Sequence, residues 1–316
     1  MPRFACLFMD IKSRNARCFP ASSLNYLQIQ MVIAEMMQRR SAGMRRARAR
    51  PDSENSFLRP MIEPDTQSGQ RALAKVPEVT LLFWVIKIAA TTLGETGGDA
   101  VSMSMNLGYL VGTLIFAVLF VVAVSAQIRA KQFHPALYWL AIVASTMVGT
   151  TMADLADRSL GIGYAGGSSI LLLLLLASLA IWYRTTGTIA VSSINSPKAE
   201  MFYWVTIMFS QTLGTALGDW TADTAGLGYS GGALLFSGLL ALIVLLKYAS
   251  SISWTLLFWA AFVLTRPLGA VVGDFLDKPH DHGGLAMSRY TASAALLTFM
   301  IMCIALFRQR ASRHAH

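Results

Sequence analysis

The residues best suited to chemistry are acidic side chains at one repeated position. An aspartate stands fifteen residues after a tryptophan at four places along the chain. A glutamate lies one helical turn before the first of these aspartates, and another aspartate lies one turn after the third. Hard cations such as Mg²⁺ and Ca²⁺ prefer carboxylate oxygens, and ionisable residues within apolar segments usually mark functional sites. The candidate ion-binding carboxylates are Glu95, Asp99, Asp154, Asp219, Asp223 and Asp274.

Two basic residues, Lys87 and Arg266, also lie inside apolar segments and belong to the same candidate site. A charged side chain near the centre of a bilayer costs about 2.5–3.5 kcal/mol on insertion scales, so neither residue should face lipid. Two interpretations stay open: they neutralise acids of neighbouring repeats, or they tune a path along which an ion moves. Pro267 follows Arg266 and predicts a kink or break in its helix, with carbonyl groups freed toward a cavity.

The segment His280-Asp281-His282 is the best set of transition-metal ligands in the sequence. An exposed His-Asp-His sequence is also common without a metal, and that alternative stays open. We find no phosphate-binding loop, no Ser-His-Asp set, no Cys-His pair and no zincin motif. No histidine lies within an apolar segment, which argues against intramembrane haem. We therefore expect no cofactor and no enzymatic activity.

The elements that must position these residues are apolar helices. Hydrophobic residues make up 54% of the chain and charged residues only 14%, against about 25% charged in soluble proteins. The apolar residues fall in eight segments, each close to the roughly 20 residues that span a bilayer. These segments are 79–99, 109–127, 136–156, 163–183, 200–220, 231–248, 253–275 and 285–307. The predicted fold is an all-α membrane protein with eight transmembrane helices.

The eight segments form four copies of one two-helix repeat, at about 79–128, 136–184, 199–248 and 253–307. Fixed spacing of tryptophan, glycine and aspartate over four copies is the signature of a repeat architecture. All four copies point the same way, so we expect parallel repeats, pseudo-symmetric about the membrane normal. We expect the repeat tryptophans to form an aromatic belt at the membrane interface. They are Trp84, Trp139, Trp204 and Trp259.

Each odd-numbered segment carries two lines of residues spaced by four. One line consists of small residues, such as Ala90, Gly94 and Gly98. The adjacent line consists of polar residues, such as Thr91, Glu95 and Asp99. Residues four apart share a helix face, and small residues let two helices approach closely. We therefore expect the odd segments to line the interior and the even segments to face lipid.

The lysines and arginines predict the orientation. They are concentrated in one set of loops and in both terminal segments, which places that side in the cytoplasm. Residues 1–74 are basic, and we predict a mostly disordered cytoplasmic tail ahead of a membrane domain at 75–316. Beside membrane spans such a charge more often sets topology or contacts anionic lipid than nucleic acid. The expected partners are a lipid bilayer and a small cation, with no nucleic acid and with the oligomeric state left open.

The stretch from Lys75 to Asp99 includes Lys87 and Glu95, and the spacing of its Trp84, Gly94 and Asp99 recurs in all four copies. It resembles a bacterial family of membrane proteins built from four tandem repeats of unknown function, each with two transmembrane segments and a characteristic tryptophan. The resemblance covers about residues 75–307 and implies this fold and a bacterial inner membrane. The long basic tail departs from the family's usual short start. The family implies no substrate.

These observations lead to one functional hypothesis and two rivals. The first is a transporter or channel for small cations, including divalent metals, with the acidic residues as its outer site. The second is a non-transporting membrane scaffold or anchor, in which the aspartates only cap a turn or pair with Arg158, Lys278 and Arg289. A membrane enzyme acting on lipid or quinone is the weaker third.

Overall fold

The computed structural model describes residues 74–312, and they form eight α-helices with no β-sheet. The predicted disordered tail, residues 1–74, lies outside the described residues except for Ala74. The helices are α1 (Leu81–Asp99), α2 (Gly108–Arg129), α3 (Pro135–Asp154), α4 (Tyr164–Thr186), α5 (Pro197–Asp219), α6 (Gly228–Ala249), α7 (Trp254–Asp277) and α8 (Arg289–Leu306).

Local sequence explains where the odd helices begin. Thr80, Ser196 and Ser253 each accept a hydrogen bond from a backbone N–H of the first turn of α1, α5 and α7. These side chains satisfy donors that the helix itself leaves unpaired. Pro135 and Pro197 occupy first-turn positions, where a missing N–H costs nothing.

The four odd helices form a closed ring. α1 packs against α3, α3 against α5, α5 against α7, and α7 against α1. Each even helix packs mainly on the odd helix of the following repeat: α2 on α3, α4 on α5, α6 on α7, and α8 back on α1. The odd helices are mostly buried, and the even helices expose large apolar side chains such as Leu114 and Val118. The predicted division into inner and outer helices is confirmed.

Glycines at one repeat position set the symmetry and the close packing of the ring. In each copy, the glycine ten residues after the tryptophan faces the residue seven positions after the tryptophan of the next copy. This holds for all four copies, with the fourth facing the first. The pairs are Gly94 with Thr146, Gly149 with Gln211, Gly214 with Arg266, and Gly269 with Thr91. One turn further on, Gly98 faces Thr150 and Gly273 faces Glu95. From the first set of contacts to the second, the position shifts by four residues on both helices of a pair. The odd helices therefore run parallel and lie at the same depth.

Six of the eight helices are long and apolar enough to cross a membrane. They are all of the even helices together with α3 and α7. The other two inner helices, α1 and α5, are of similar length, but polar residues such as Lys87 and Glu95 in α1 and Gln211 in α5 make them less apolar. The chain is thus a multi-pass membrane protein with at least these six candidate spans.

Aromatic residues fill the ring at the level of the repeat tryptophans. The Tyr138 and Tyr203 hydroxyls are 2.6 Å apart, and Phe83 and Phe258 pack 6.3 Å apart, centre to centre. Trp139, Trp204 and Trp259 are at most 3% exposed. The expectation of an aromatic belt is therefore wrong for these three, because other parts of the chain cover them. Trp139 Nε1 donates to Gln309 Oε1 at 2.8 Å, Trp204 packs against Phe120 of α2, and Trp259 packs against Trp182 of α4.

Three segments outside the repeats close the same end of the ring. Residues 74–80 pair with residues 310–312 through the bridge between Pro77 and Ala311. The Lys75 backbone donates to Ile194 O at 3.3 Å, and its Nζ lies 2.7 Å from Glu200. Ile194 is fully buried. This end is sealed, while the opposite end carries the repeat aspartates.

Candidate cation site

The four repeat aspartates lie at the end of the ring opposite the aromatic layer. Asp99, Asp154 and Asp219 are the last residues of α1, α3 and α5, and Asp274 lies one turn before the end of α7. All four are at most 3% exposed. None of the first three caps the following turn through its side chain, so the simple capping interpretation does not apply to them.

The backbone stays wound beyond the first three aspartates. A single π turn follows each one, at Ala100–Ser104, Leu155–Ser159 and Trp220–Thr224. In the second copy this winding brings Arg158 Nε to 3.0 Å from Asp154 Oδ1. In the fourth copy α7 simply runs on to Asp277, and His280–His282 form a short 3₁₀ turn.

Carboxylates from different helices converge in this layer. One oxygen each of Glu95, Asp219 and Asp274 lie within 4.8 Å of one another, and so do oxygens of Asp99, Asp274 and Asp277. Glu95 is 3% exposed and one turn deeper than the aspartates. The predicted gathering of Glu95 with the repeat aspartates is thus present as a buried acidic cluster.

Three basic residues cover this cluster from its outer side. Arg158 pairs with Asp154 and reaches Asp219 at 3.5 Å. Lys278 Nζ lies 3.0 Å from Asp274 and 3.3 Å from Asp99. Burial lowers the pKa of Lys278, but the negative charges of Asp274, Asp99 and Asp277 outweigh it and hold that pKa above its ordinary value. Lys278 is therefore a cation at any physiological pH.

Arg289 is the third of these basic residues. Its Nε lies 2.5 Å from Asp277 Oδ2 and 3.7 Å from Asp99. The sequence places Asp277 one turn after Asp274 at the same outer level, although Asp277 is not among the candidate ion-binding carboxylates predicted from it. Arg158, Lys278 and Arg289 are the partners expected in the scaffold interpretation, and each repeat aspartate does have one of Arg158, Lys278 or Arg289 within 4.0 Å.

Arg266 occupies the centre of the ring. From α7, its Nη2 reaches Glu95 of α1 at 2.9 Å, Thr150 of α3 at 2.6 Å, and Thr215 of α5. The side chain is fully buried. Its Nε and Nη1 have no hydrogen-bond partner among the described residues, which leaves donors for water or a ligand oxygen. Pro267 lies inside α7, which is continuous from Trp254 to Asp277, so the expected break does not occur and the expected kink stays a prediction.

Lys87 lies two turns deeper than Glu95 and does not join the acidic cluster. Its Nζ is 3.3 Å from Thr265 Oγ1 and 4.1 Å from the centre of the Phe262 ring. Among the described residues it has no carboxylate within ion-pair distance. Asp223 also lies apart, because its position one turn after Asp219 is exposed to solvent.

The His280-Asp281-His282 turn does not gather its three side chains around one point. His282 Nε2 and Asp281 Oδ2 are 4.0 Å apart, and both side chains are at least 70% exposed. The His280 ring instead meets the carbonyl of Gly284 at 2.9 Å. Metal binding here stays an untested prediction.

One family model matches most of the membrane domain in four copies. Its description is "Repeat of Unknown Function (DUF347)", and the copies cover residues 82–133, 137–188, 202–253 and 257–313. Each copy of the match covers nearly all of one two-helix repeat, including its tryptophan and its aspartate. No curated protein and no solved structure matches the chain.

Proposed function

The chain belongs to the DUF347 repeat family, and we propose that it transports a small cation across the bacterial inner membrane. In this proposal all eight helices span the bilayer about a four-fold axis along its normal. Both termini and the sealed end of the ring lie in the cytoplasm, as the concentration of Lys and Arg at that side favours. The buried acidic cluster is the outer ion site.

The observation that carries the proposal is an excess of buried negative charge. In the described part of the chain, six carboxylates with side chains at most 4% exposed share four basic partners. The acids are Glu95, Asp99, Asp154, Asp219, Asp274 and Asp277, and the bases are Arg158, Arg266, Lys278 and Arg289. Uncompensated charge in a buried site is strongly unfavourable. One divalent cation, or two monovalent ones, would neutralise it.

The spacing of the oxygens suits a divalent ion. Protein oxygens bind Ca²⁺ at about 2.3–2.6 Å, and Mg²⁺ at about 2.0–2.1 Å, so ligands on opposite sides of an ion are about 4–5 Å apart. The oxygens of Glu95, Asp219 and Asp274 lie within 4.8 Å of one another. Thr150 and Thr215, already at this level through Arg266, supply neutral oxygens beside them.

The ring supports a transporter better than an open channel. The Arg266 guanidinium contacts the three other inner helices, and below it Lys87, Ile142, Ile207 and Phe262 are all fully buried. An ion that enters from the acidic end therefore meets a closed axis. Passage requires the inner helices to move, with the ion displacing Lys278 from Asp274 and Asp99.

Cation-dependent stability tests this proposal. We expect Mn²⁺, Mg²⁺, Zn²⁺ or Na⁺ to raise the Tm of the purified protein, because ligands that bind the folded state alone stabilise it. Asp219→Asn and Glu95→Gln should both abolish the shift and the flux into liposomes. Glu95→Gln also loses the Arg266 pair and its stability, so Asp219→Asn, which keeps that pair, is the deciding variant. Asp223→Asn removes the same charge at an exposed position and should keep both.

A scaffold is the alternative that a specific observation favours, since every repeat aspartate is already paired with a base. In that case no cation shifts the wild-type Tm, and Asp219→Asn lowers the yield of folded protein because Arg158 loses a partner. A wild-type protein without any cation shift, together with neutral variants that fail to fold, would replace transport with assembly.

A further inference from the structure

A lipid-facing groove opens between α1, α6 and α7 at the sealed end of the ring. It has a cavity volume of about 360 Å³, within the range of sites that hold small ligands. Trp84, Leu240, Val244, Leu257 and Ala261 form its apolar walls. Lys247 and Tyr248 line its mouth, together with Trp254.

The internal repeat shows what normally fills this space. Lys247 is the third-copy equivalent of Gln127 in the first copy and Trp182 in the second. Trp182 is fully buried, with its ring centre 5.7 Å from Trp259. Gln127 is 1% exposed and donates to Lys75 O at 2.8 Å. In these two copies the chain closes the groove with its own side chain.

The third copy leaves its groove open. Lys247 is exposed, and its Nζ lies 4.1 Å from the centre of the Trp254 ring, near the end of α6. Trp84, the counterpart of Trp259 in this groove, is partly exposed, whereas the other three repeat tryptophans are at most 3% exposed. The position that supplies a buried plug in the first and second copies supplies an exposed cation in the third.

We infer that an anionic phospholipid occupies this groove, with an acyl chain against Trp84 and the phosphate on Lys247. Lysine near a helix end keeps its ammonium at headgroup depth and its stem along apolar surface, and basic residues there attract anionic lipid. A second open groove, between α3 and α8, is lined by apolar residues such as Leu140 and Ile301. It has no charged wall, so it offers no such selection. The lipid site is independent of the proposed ion transport.

Native mass spectrometry of the purified protein tests the site with dioleoyl phosphatidylglycerol and dioleoyl phosphatidylcholine. We expect wild type to retain phosphatidylglycerol preferentially. Lys247→Gln should reduce that preference about fivefold, as expected for one interfacial lysine. Lys247→Trp copies the Trp182 plug and should remove the bound lipid while raising the Tm of the delipidated protein. Lys131→Gln, the same change in an exposed loop, should retain wild-type binding.

Three results would each overturn the assignment. These are equal retention of the two lipids by wild type, unchanged phosphatidylglycerol preference in Lys247→Gln, and lipid retained by a folded Lys247→Trp. Lys247→Gln changes an exposed residue, so the comparison stands even if the tryptophan variant does not fold.

Discussion

The pairing of Arg266 with Glu95 leads to a quantitative prediction. Both side chains are buried, and the Arg266 Nη2 to Glu95 Oε2 distance is 2.9 Å. Removing one partner of a buried ion pair costs about 3–5 kcal/mol, because the other charge stays behind without compensation. Arg266→Met or Glu95→Gln alone should therefore lower the Tm by roughly 6–20 °C, at about 2–4 °C per kcal/mol for a domain of this size.

The double variant separates this pair from other effects. With both charges removed, most of the loss should be recovered, since apolar replacement of a complete buried pair is often neutral. Unfolding in detergent can be followed through the reaction of buried Cys303 with a thiol dye, after Cys6 and Cys18 are changed to serine. Single-variant losses under about 1 kcal/mol, or losses that simply add in the double variant, would refute a solvent-excluded pair.

Two further predictions concern packing and topology. Gly149→Leu should destabilise the fold by about 1–3 kcal/mol or more, because a Cβ there would lie 2.9 Å from the Gln211 backbone, whereas Gly238→Leu, with open space around it, should express and unfold as wild type. In a cysteine-free background, Asn195→Cys should react with a membrane-impermeant thiol reagent only from the cytoplasm and Ser159→Cys only from outside; the reverse pattern would invert the proposed orientation.

Much of the ring could be predicted from sequence because small and polar residues recur at a fixed spacing of four in the odd helices. Small residues every four positions in the odd helices require a close neighbour, and polar residues beside them cannot face lipid, so those helices had to be inside. Which odd helix an even helix covers could not be predicted. The short loops on either side of α2 would let it lie against α1 or against α3, and the structure shows that it packs on α3. Trp204 and Trp259 are buried against Phe120 of α2 and Trp182 of α4, and these contacts follow from that placement, which is why the prediction of an aromatic belt was wrong.

The sequence predicted the level at which the acidic residues lie, but it could not predict which side chains contact one another. Equal spacing from each tryptophan placed Asp99 and Asp219 in one layer. The reach of Arg266 toward the axis depends on four side-chain torsions and on the glycine opposite it, Gly214, which leaves room for the arginine stem. The exposure of Asp223 likewise depends on the π turn after α5. Such a change in helix winding has no clear sequence signal, so this exposure could not be predicted.

The interlocked order of the helices has a consequence for biosynthesis. Of the eight described helices, α1 is made first, yet α8, which covers it, is made last, and no repeat buries its own inner helix. The ribosome must therefore deliver the whole domain before the charged face of α1, with Lys87 and Glu95, is enclosed. Because Pro77 and Ala311 are bridged, the two ends of the domain meet, and no repeat is structurally first. A circular permutant opened in the loop after α4 would keep the helix contacts of the ring. It would change which inner helix is inserted into the membrane before its covering helix has been synthesised.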